Sequence, residues 1–335
     1  MRHAFYETFK VLHIALAILA VVGTWYHLQL KDLPQVKYLV AAVVLWGIDQ
    51  SWRVSRVVHG NLGNGGTKAI IKTLPGNACS VTVFMARPWT IHPGQHAYIY
   101  MPTISFLQSH PFSIAWSDND DGDRNISKHA ATGQQATMRG RKISFIIRAR
   151  RGFTSSLYRR AAAFSDGTLD TTCIVEGPYG RLHDIRSYGT VLLFAGGVGI
   201  TSQLLHVRDL LVGYKRTVAT KKIILIWAIP FPEHLEWVRA WMEEILAMRV
   251  SPSVLRIMLF VSRQQNNDFH ANSETFQIYS GRPNIEKLVR MIMEEQIGAL
   301  CVSVCGPSSL SDDVRRAVRN NQYNRMIDLI EESFS

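Results

Sequence analysis

Residues Thr190–Thr201 read TVLLFAGGVGIT, and SQLLHVRDLL (202–211) follows directly. Six apolar or β-branched residues lead into three glycines within four positions, and a helix-forming segment comes next. A run that is apolar at nearly every position belongs to a strand buried on both faces, the condition of a parallel sheet. Glycines between such a strand and a helix let backbone N–H groups approach a diphosphate at the helix N-terminus. Gly196, Gly197, Gly199, Ile200 and Thr201 are therefore candidate contacts to a phosphate-bearing ligand. The spacing is not GxGxxG, so it does not choose between dinucleotides, and a plain structural turn is the alternative.

Outward from this stretch, KKIILIWAI (221–229), VLRIMLFVS (254–262) and ALCVSVCG (299–306) read as further buried strands with helices between them. The pattern predicts a doubly wound parallel sheet, which binds ligands at the carboxyl edge of its strands. Two segments follow strands at that edge. Ser262-Arg263 offers a guanidinium suited to a bidentate grip on an adenosine 2′-phosphate, and a solvent-facing arginine is the plainer alternative. Cys305-Gly306-Pro307 places a thiol where it would touch a nicotinamide, whereas Cys301, inside the strand, reads as core.

The middle third changes character. KAIIKT, ACSVTVFMA, HAYIYM, ISFIIRA and TTCIVEG are short β-rich runs separated by turn residues, which predicts an antiparallel barrel of roughly six strands. The polar stretch 117–142 reads as a surface loop. His110-Pro111-Phe112-Ser113 sits at the start of a strand, where a hydroxyl can bond a flavin edge while the aromatic ring packs on its face. In Arg148 to Leu157 (RARRGFTSSL), Gly152 permits close backbone approach, Thr154 is the expected helix cap, and Arg148 lies just upstream. That helix N-terminus suits a pyrophosphate, and an ordinary strand-to-helix turn is the alternative. Glu176-Gly177-Pro178-Tyr179-Gly180 reads as a turn closing the barrel.

The first sixty residues are different again. VLHIALAILAVVGTWYHL (11–28) is long enough to cross a bilayer with its flanks, and YLVAAVVLWGI (38–48) is a shorter apolar run. Trp46, Trp52, Arg53 and Arg56 mark an interfacial aromatic and basic border, which orients a helical hairpin with its C-terminal side in the cytoplasm. A cleaved signal peptide over residues 1–23 is the rival, but it would strand a nicotinamide-dependent domain outside the cell. His13 and His27 lie 14 residues apart, about 21 Å along one helix and near one face. Each is a candidate haem ligand, with interhelical or interfacial hydrogen bonding as the alternative.

The net charge of +11 raises nucleic-acid binding. No Lys/Arg block of five and no aromatic-basic interleaving supports it, so membrane proximity and phosphate-bearing cofactors account for the excess. Four scattered cysteines give neither a metal site nor a disulfide framework.

Taken in order, these motifs resemble the fungal ferric reductase transmembrane family, relatives of the NADPH oxidases and of plant-type ferredoxin-NADP reductases. His110 to Ser113 looks like the family's His-Pro-Phe-Ser/Thr flavin motif. Gly152-Phe153-Thr154 resembles its flavin-pyrophosphate turn, and Gly177 lies in a match to its domain junction. Gly196 to Thr201 resembles the nicotinamide-phosphate loop, Ser262-Arg263 the 2′-phosphate site, and Cys305-Gly306-Pro307 the nicotinamide-side motif. The resemblance implies a transmembrane helical hairpin in residues 1–60, an FAD-binding antiparallel β-barrel in 61–185 and an NADPH-binding α/β domain in 186–335. It implies a multi-pass plasma-membrane NADPH-dependent ferric reductase with its FAD and NADPH domains in the cytoplasm. Hydride would pass from NADPH to FAD beside Ser113 and Cys305, then single electrons through haem b at His13 and His27 to ferric iron or its chelates. The earlier spans that carry the family's second histidine pair are not in this sequence. A preceding segment or a second chain is then expected to supply those ligands. The family's terminal aromatic, which covers the flavin, is Phe334, followed here by Ser335. A superoxide-forming oxidase, a haem-free diaphorase or a cofactor-binding fragment without electron transfer are the alternatives the resemblance leaves open.

Overall fold

The structure is a computed structural model of the 335-residue chain. It describes residues 6–63, 65–105, 109–118, 138–180, 183–248, 251–263, 273–322 and 326–332. The chain divides into two compact units, one running to His59 and one from Gly60 to Phe334.

The first unit consists of helices α1 (Tyr6–Leu30) and α2 (Val36–Asn61), the latter ending just inside the second unit. Between them the chain turns at Asp32, whose φ is +46°, and Leu33 donates its N–H back to the Leu28 carbonyl. Within α1 the stretch Val11–Leu30 has a mean hydropathy of 1.8 and no buried residue. The Thr24 hydroxyl within it donates to the Ala20 carbonyl, which hides that polar group along the helix. Among the described residues this is the one helix both long and apolar enough to cross a membrane. The predicted second span does form a helix, but Asp49, Arg53 and Arg56 follow its apolar run within the same helix.

The second unit opens with eight strands: β1 (Lys68–Leu74), β2 (Ala78–Ile91), β3 (His96–Tyr100), β4 (Ser109–Ser113), β5 (Trp116–Asp118), β6 (Met138–Arg148), β7 (Thr168–Thr172) and β8 (Ile174–Tyr179). They form two antiparallel sheets, ordered β5-β6-β2-β1-β7 and β4-β3-β8. Alternation buries Ala69 and Ile71 of β1 and Val81 and Val83 of β2 against one another. Helix α3 (Phe153–Ala162) covers this core with Phe153, Leu157 and Ala161, one residue per turn.

The predicted barrel is present with three differences. TTCIVEG is two strands, because the chain passes from one sheet to the other at Cys173. Glu176 to Tyr179 is strand, part of β8 paired to β3, where a turn was expected. The expected loop 117–142 includes β5 and the start of β6, which extends far enough to pair with β2 beyond a bulge at Phe84/Trp89. Polar composition hid both strands, since residues 139–142 are Arg-Gly-Arg-Lys. Residues 119–137 lie outside the described ones.

The remainder alternates strand and helix: β9 (Thr190–Gly196), α4 (Ile200–Gly213), β10 (Lys222–Ile229), α5 (Arg239–Ala247), β11 (Leu255–Val261), β12 (Phe276–Ser280), α6 (Ile285–Glu294), β13 (Leu300–Cys305), α7 (Ser308–Asn321) and β14 (Ile327–Glu332). All six strands pair in parallel, in the order β12-β11-β10-β9-β13-β14. Val191, Leu193 and Ala195 of β9 join an apolar cluster with α4 and α5, while Leu192 and Phe194 join another with α6 and α7. The doubly wound sheet predicted from TVLLFA is thus covered on both faces. The first of those clusters continues into the barrel core, so the two domains share one apolar interior. The chain winds outward from β9 and returns to β13 beside it, which makes the β9/β13 pair the topological switch point.

Candidate active site

The side expected to take the nicotinamide dinucleotide is built from close approach. Gly197–Gly199 is a single 3-10 turn that runs straight into α4. A Cβ on Gly199 would collide with the Cys305 carbonyl oxygen. One on Gly196 would stand 2.6 Å from Pro307 Cδ and 2.9 Å from Leu310 Cδ2. One on Gly306 would stand 2.9 Å from Gly196 Cα. The two motifs, more than a hundred residues apart, are therefore one packed body at the ends of adjacent strands. Gly197 differs: its φ is +55° and nothing lies within 4 Å of a Cβ there, so it is the open member of the loop. Trp227, fully buried in β10, donates its indole N–H to the Gly197 carbonyl at 2.9 Å. Thr201 is buried and donates its hydroxyl to the Val198 carbonyl at 2.9 Å, so it braces the turn, and Ile200 is core.

Cys305 has no exposed surface. Burial, and then the Glu332 carboxylate, push its thiol well above the ordinary range, so it stays protonated at physiological pH. Expected to touch the nicotinamide, Cys305 is a buried packing group under the loop. Burial likewise raises the thiols of Cys79, Cys173 and Cys301 to about 12.

On the barrel side, two predicted motifs meet. The His110 ring stacks on Phe153 at 4.8 Å between centroids, and Phe112 lies 6.3 Å from the same ring. Pairing sets Ser113 opposite His96 and Phe112 opposite Ala97. Successive residues alternate faces, so the hydroxyl and the ring expected to share a ligand point to opposite sides of this sheet. The rings on the Ser113 face are His96, Tyr98 and Tyr179, with centroids 5.8–6.1 Å apart. Burial holds the His96 imidazole below its usual pKa, hence neutral. Gly177 (φ +146°) lets β8 lie tight on β3: a Cβ there would stand 3.3 Å from the His96 carbonyl oxygen.

Gly152 has φ +59° and ψ −127°, a conformation that glycine alone adopts readily, and is itself the N-cap of α3. Thr154 does not cap the helix as expected. Its hydroxyl accepts from the Arg150 N–H and donates to the Arg151 carbonyl, which holds the loop open around the helix N-terminus. Arg148 ends β6 just upstream, close enough to His234 to help lower that buried imidazole's pKa after burial itself.

Ser262 and Arg263 turn back at the edge of the sheet, with their N–H groups on the Ile229 and Pro230 carbonyls. The Arg263 guanidinium lies over the Phe231 ring, 5.6 Å from its centroid. Phe231 is an exposed aromatic at this edge that the motif search missed.

Residues 64–183 match the FAD-binding domain family, and residues 188–275 and 261–319 match the ferric reductase NAD binding domain. A probable cell surface ferric reductase of Aspergillus oryzae is 27% identical over 90% of this chain. Ferric reductase transmembrane component 3 of Saccharomyces cerevisiae is 27% identical over 95% of it. The chain carries an FAD-binding domain followed by a ferric reductase NAD binding domain. It covers 42% and 45% of those two proteins, so it spans less than half their length. Among solved structures, a ferredoxin NADP+ reductase from Neisseria gonorrhoeae with bound FAD and NADP superposes with a TM-score of 0.50 at 14% identity. That match covers 79% of this chain and 97% of the other, and it supports the fold.

The chain has residues that fit both dinucleotides: an open glycine at a helix N-terminus at the switch point, and a second glycine-led helix start beside Arg148 in the barrel. The haem positions are less complete. His13 and His27 are exposed on α1, with His13 stacked on Phe9 at 5.8 Å. Lying about 21 Å apart along one helix, they cannot face each other across one haem. Among the described residues no group of three or more His, Cys, Asp or Glu is placed to hold a metal ion. Phe334, the expected flavin cover, lies outside the described residues.

Proposed function

We propose that this chain is a membrane-bound NADPH-dependent ferric reductase, organised as a membrane hairpin (1–60), an FAD barrel (61–185) and an NADPH domain (186–335). The observation that carries the reading is the packing of Gly196–Gly199 onto Cys305–Pro307 at the switch point, with β6 of the barrel touching the 197–199 turn. A nicotinamide seated over that turn would face the flavin sheet. When bound, the flavin accepts a hydride and releases electrons singly, which suits a one-electron acceptor such as ferric iron. The chain's residues bind and orient: Gly152 and the α3 N-terminus take the flavin pyrophosphate with Arg148. Ser113 offers a hydroxyl toward the flavin. Gly197 and the α4 N-terminus take the nicotinamide diphosphate, and Arg263 on Phe231 takes the adenosine end with its 2′-phosphate. The acceptor, ferric iron or its chelates, follows from relatives named ferric reductases, and the membrane from their being named transmembrane components or cell surface proteins. The basic border at Arg53 and Arg56 supports a plasma-membrane arrangement with both nucleotide domains in the cytoplasm.

His13 and His27 would each help hold a separate haem b, which would carry single electrons. The test uses the purified chain in detergent. Anaerobic NADPH is expected to bleach the flavin absorbance, and ferric citrate to restore it. A flavin that NADPH leaves oxidised would overturn the proposal.

A further inference from the structure

Arg208 lies in α4, two turns beyond the nicotinamide loop, yet its side chain crosses into the barrel. Its Nη1 donates to the Ser117 carbonyl at 2.8 Å, and its Nη2 stands 3.2 Å from Glu244 of α5. The guanidinium carbon lies 4.5 Å from the centroid of the Trp116 ring, and Trp116 is stacked at 5.8 Å and 10° on Trp241 of α5. Trp116 and Arg208 are 1% and 8% exposed. A charged residue is thus buried at the joint between two domains whose cores are already apolar and continuous.

Both ends of this bolt lead to reacting groups. Trp116 is three residues beyond Ser113, on a segment tied down where the Ala115 N–H meets the Ser144 carbonyl at 2.9 Å. Arg208 is fixed to the helix whose first turn is the nicotinamide loop. A second joint is formed where the Trp237 indole donates to the Pro75 carbonyl at 2.8 Å with His234 stacked on it. That contact joins the same two domains at a second point. A planar guanidinium that is both stacked and hydrogen-bonded fixes an angle in a way that apolar packing does not.

We infer that Arg208 is a positioning residue for hydride transfer: through Trp116 and Ser117 it sets the angle between the barrel and the nicotinamide loop. The inference rests on the proposed NADPH-to-flavin step. Misplacement by about 1 Å at a reacting pair lowers a rate about 100-fold without touching the ligands. The purified full chain, with Arg208→Met and Arg208→Lys beside it, is mixed anaerobically with NADPH over a range of concentrations and flavin bleaching is followed. For Arg208→Met the limiting rate is expected to fall about 10- to 100-fold, while FAD content and half-saturating NADPH stay within about twofold. Arg208→Lys keeps the charge but not the planar stack, and is expected to recover only part of the rate. A limiting rate within twofold of the parent, in either variant with full FAD, overturns the inference. So does a rate loss that merely tracks lost FAD. If Arg208→Met does not fold, Arg208→Lys alone decides by the same split. If the unsubstituted chain is not reduced by NADPH, the proposed function fails instead, a result distinct from a parent that works and variants that match it.

Discussion

Two glycine-led turns in this molecule look alike in sequence and are built for different reasons. In Gly196–Gly199 two of the three glycines are demanded by neighbours: the backbones of two adjacent strand ends and Pro307 leave no room for a Cβ. At Gly152 the demand is conformational, a φ of +59° with ψ −127° that opens the loop ahead of α3. The first turn is rigid because the sheet is packed through it. The second is held by its own hydrogen bonds through Thr154. A glycine-rich string therefore reports a tight turn near a helix start, and only the fold tells which glycine faces a ligand.

The comparison is broken most directly at Gly199. Gly199→Ala drives a methyl group into the Cys305 carbonyl, a backbone atom that cannot swing away. The expected loss is about 3 kcal/mol or more of stability, at the upper end for overpacked sites. Urea denaturation without cofactor reads it, since the clash needs no ligand. A variant as stable as the parent would show that the two strand ends can part.

At Gly152 the loss belongs to the open turn. Gly152→Ala forces a conformation that costs about 1–3 kcal/mol, and the loop can relax by giving up the shape proposed to take the flavin pyrophosphate. FAD retained through gel filtration is expected to drop by about 10-fold or more, with nicotinamide dinucleotide affinity measured on FAD-loaded protein unchanged. Equal loss of both would mean that the two turns are one coupled unit.

How much of this was legible beforehand follows the range of the interactions. TVLLFA and KKIILIWAI announced a parallel sheet because strands buried on both faces need apolar residues at successive positions. Arg148, Gly152 and Phe153 are local in sequence, and so is their loop. The assignment of Thr154 failed because a hydroxyl near a helix start serves a loop as readily as a cap. Phe112 and Ser113 were read as partners from adjacency, and strand alternation separates them. Strand β14, with Asp, Glu and Glu in IDLIEE, lacks an apolar signal because it is an edge. Trp116, Arg208 and Trp241 gave no signal, since the contacts that tie Trp116 and Ser117 to Arg208 and Trp241 span about ninety or more positions, where no periodicity reaches.

Arg263 tests the edge of the packed turn's domain. Replacing Arg263 by Ala removes a charge-assisted contact worth about 1.5–3 kcal/mol, so NADPH is expected to bind about 10-fold or more weaker while NADH changes little. Titration of flavin bleaching with both dinucleotides separates the two. Equal weakening would move the 2′-phosphate away from this guanidinium and leave Phe231 as the adenosine contact.

The smallest effect, and the sharpest for the comparison, is at Gly197. This glycine sits inside the packed turn but behaves like the open one: a Cβ meets nothing within 4 Å, and only its φ of +55° asks for glycine. Gly197→Ala then carries a backbone penalty of about 1 kcal/mol, far below the clash two residues on. Its carbonyl remains fixed by Trp227, so the turn keeps its course. The added methyl occupies the one face of the loop that the protein leaves clear, which is where a diphosphate would sit against the α4 N-terminus. Half-saturating NADPH is expected to rise several-fold while FAD content and urea midpoint move little. If Gly197→Ala instead unfolds the domain as Gly199→Ala does, the loop is packed on every side. If neither stability nor NADPH responds, the dinucleotide does not lie over this turn.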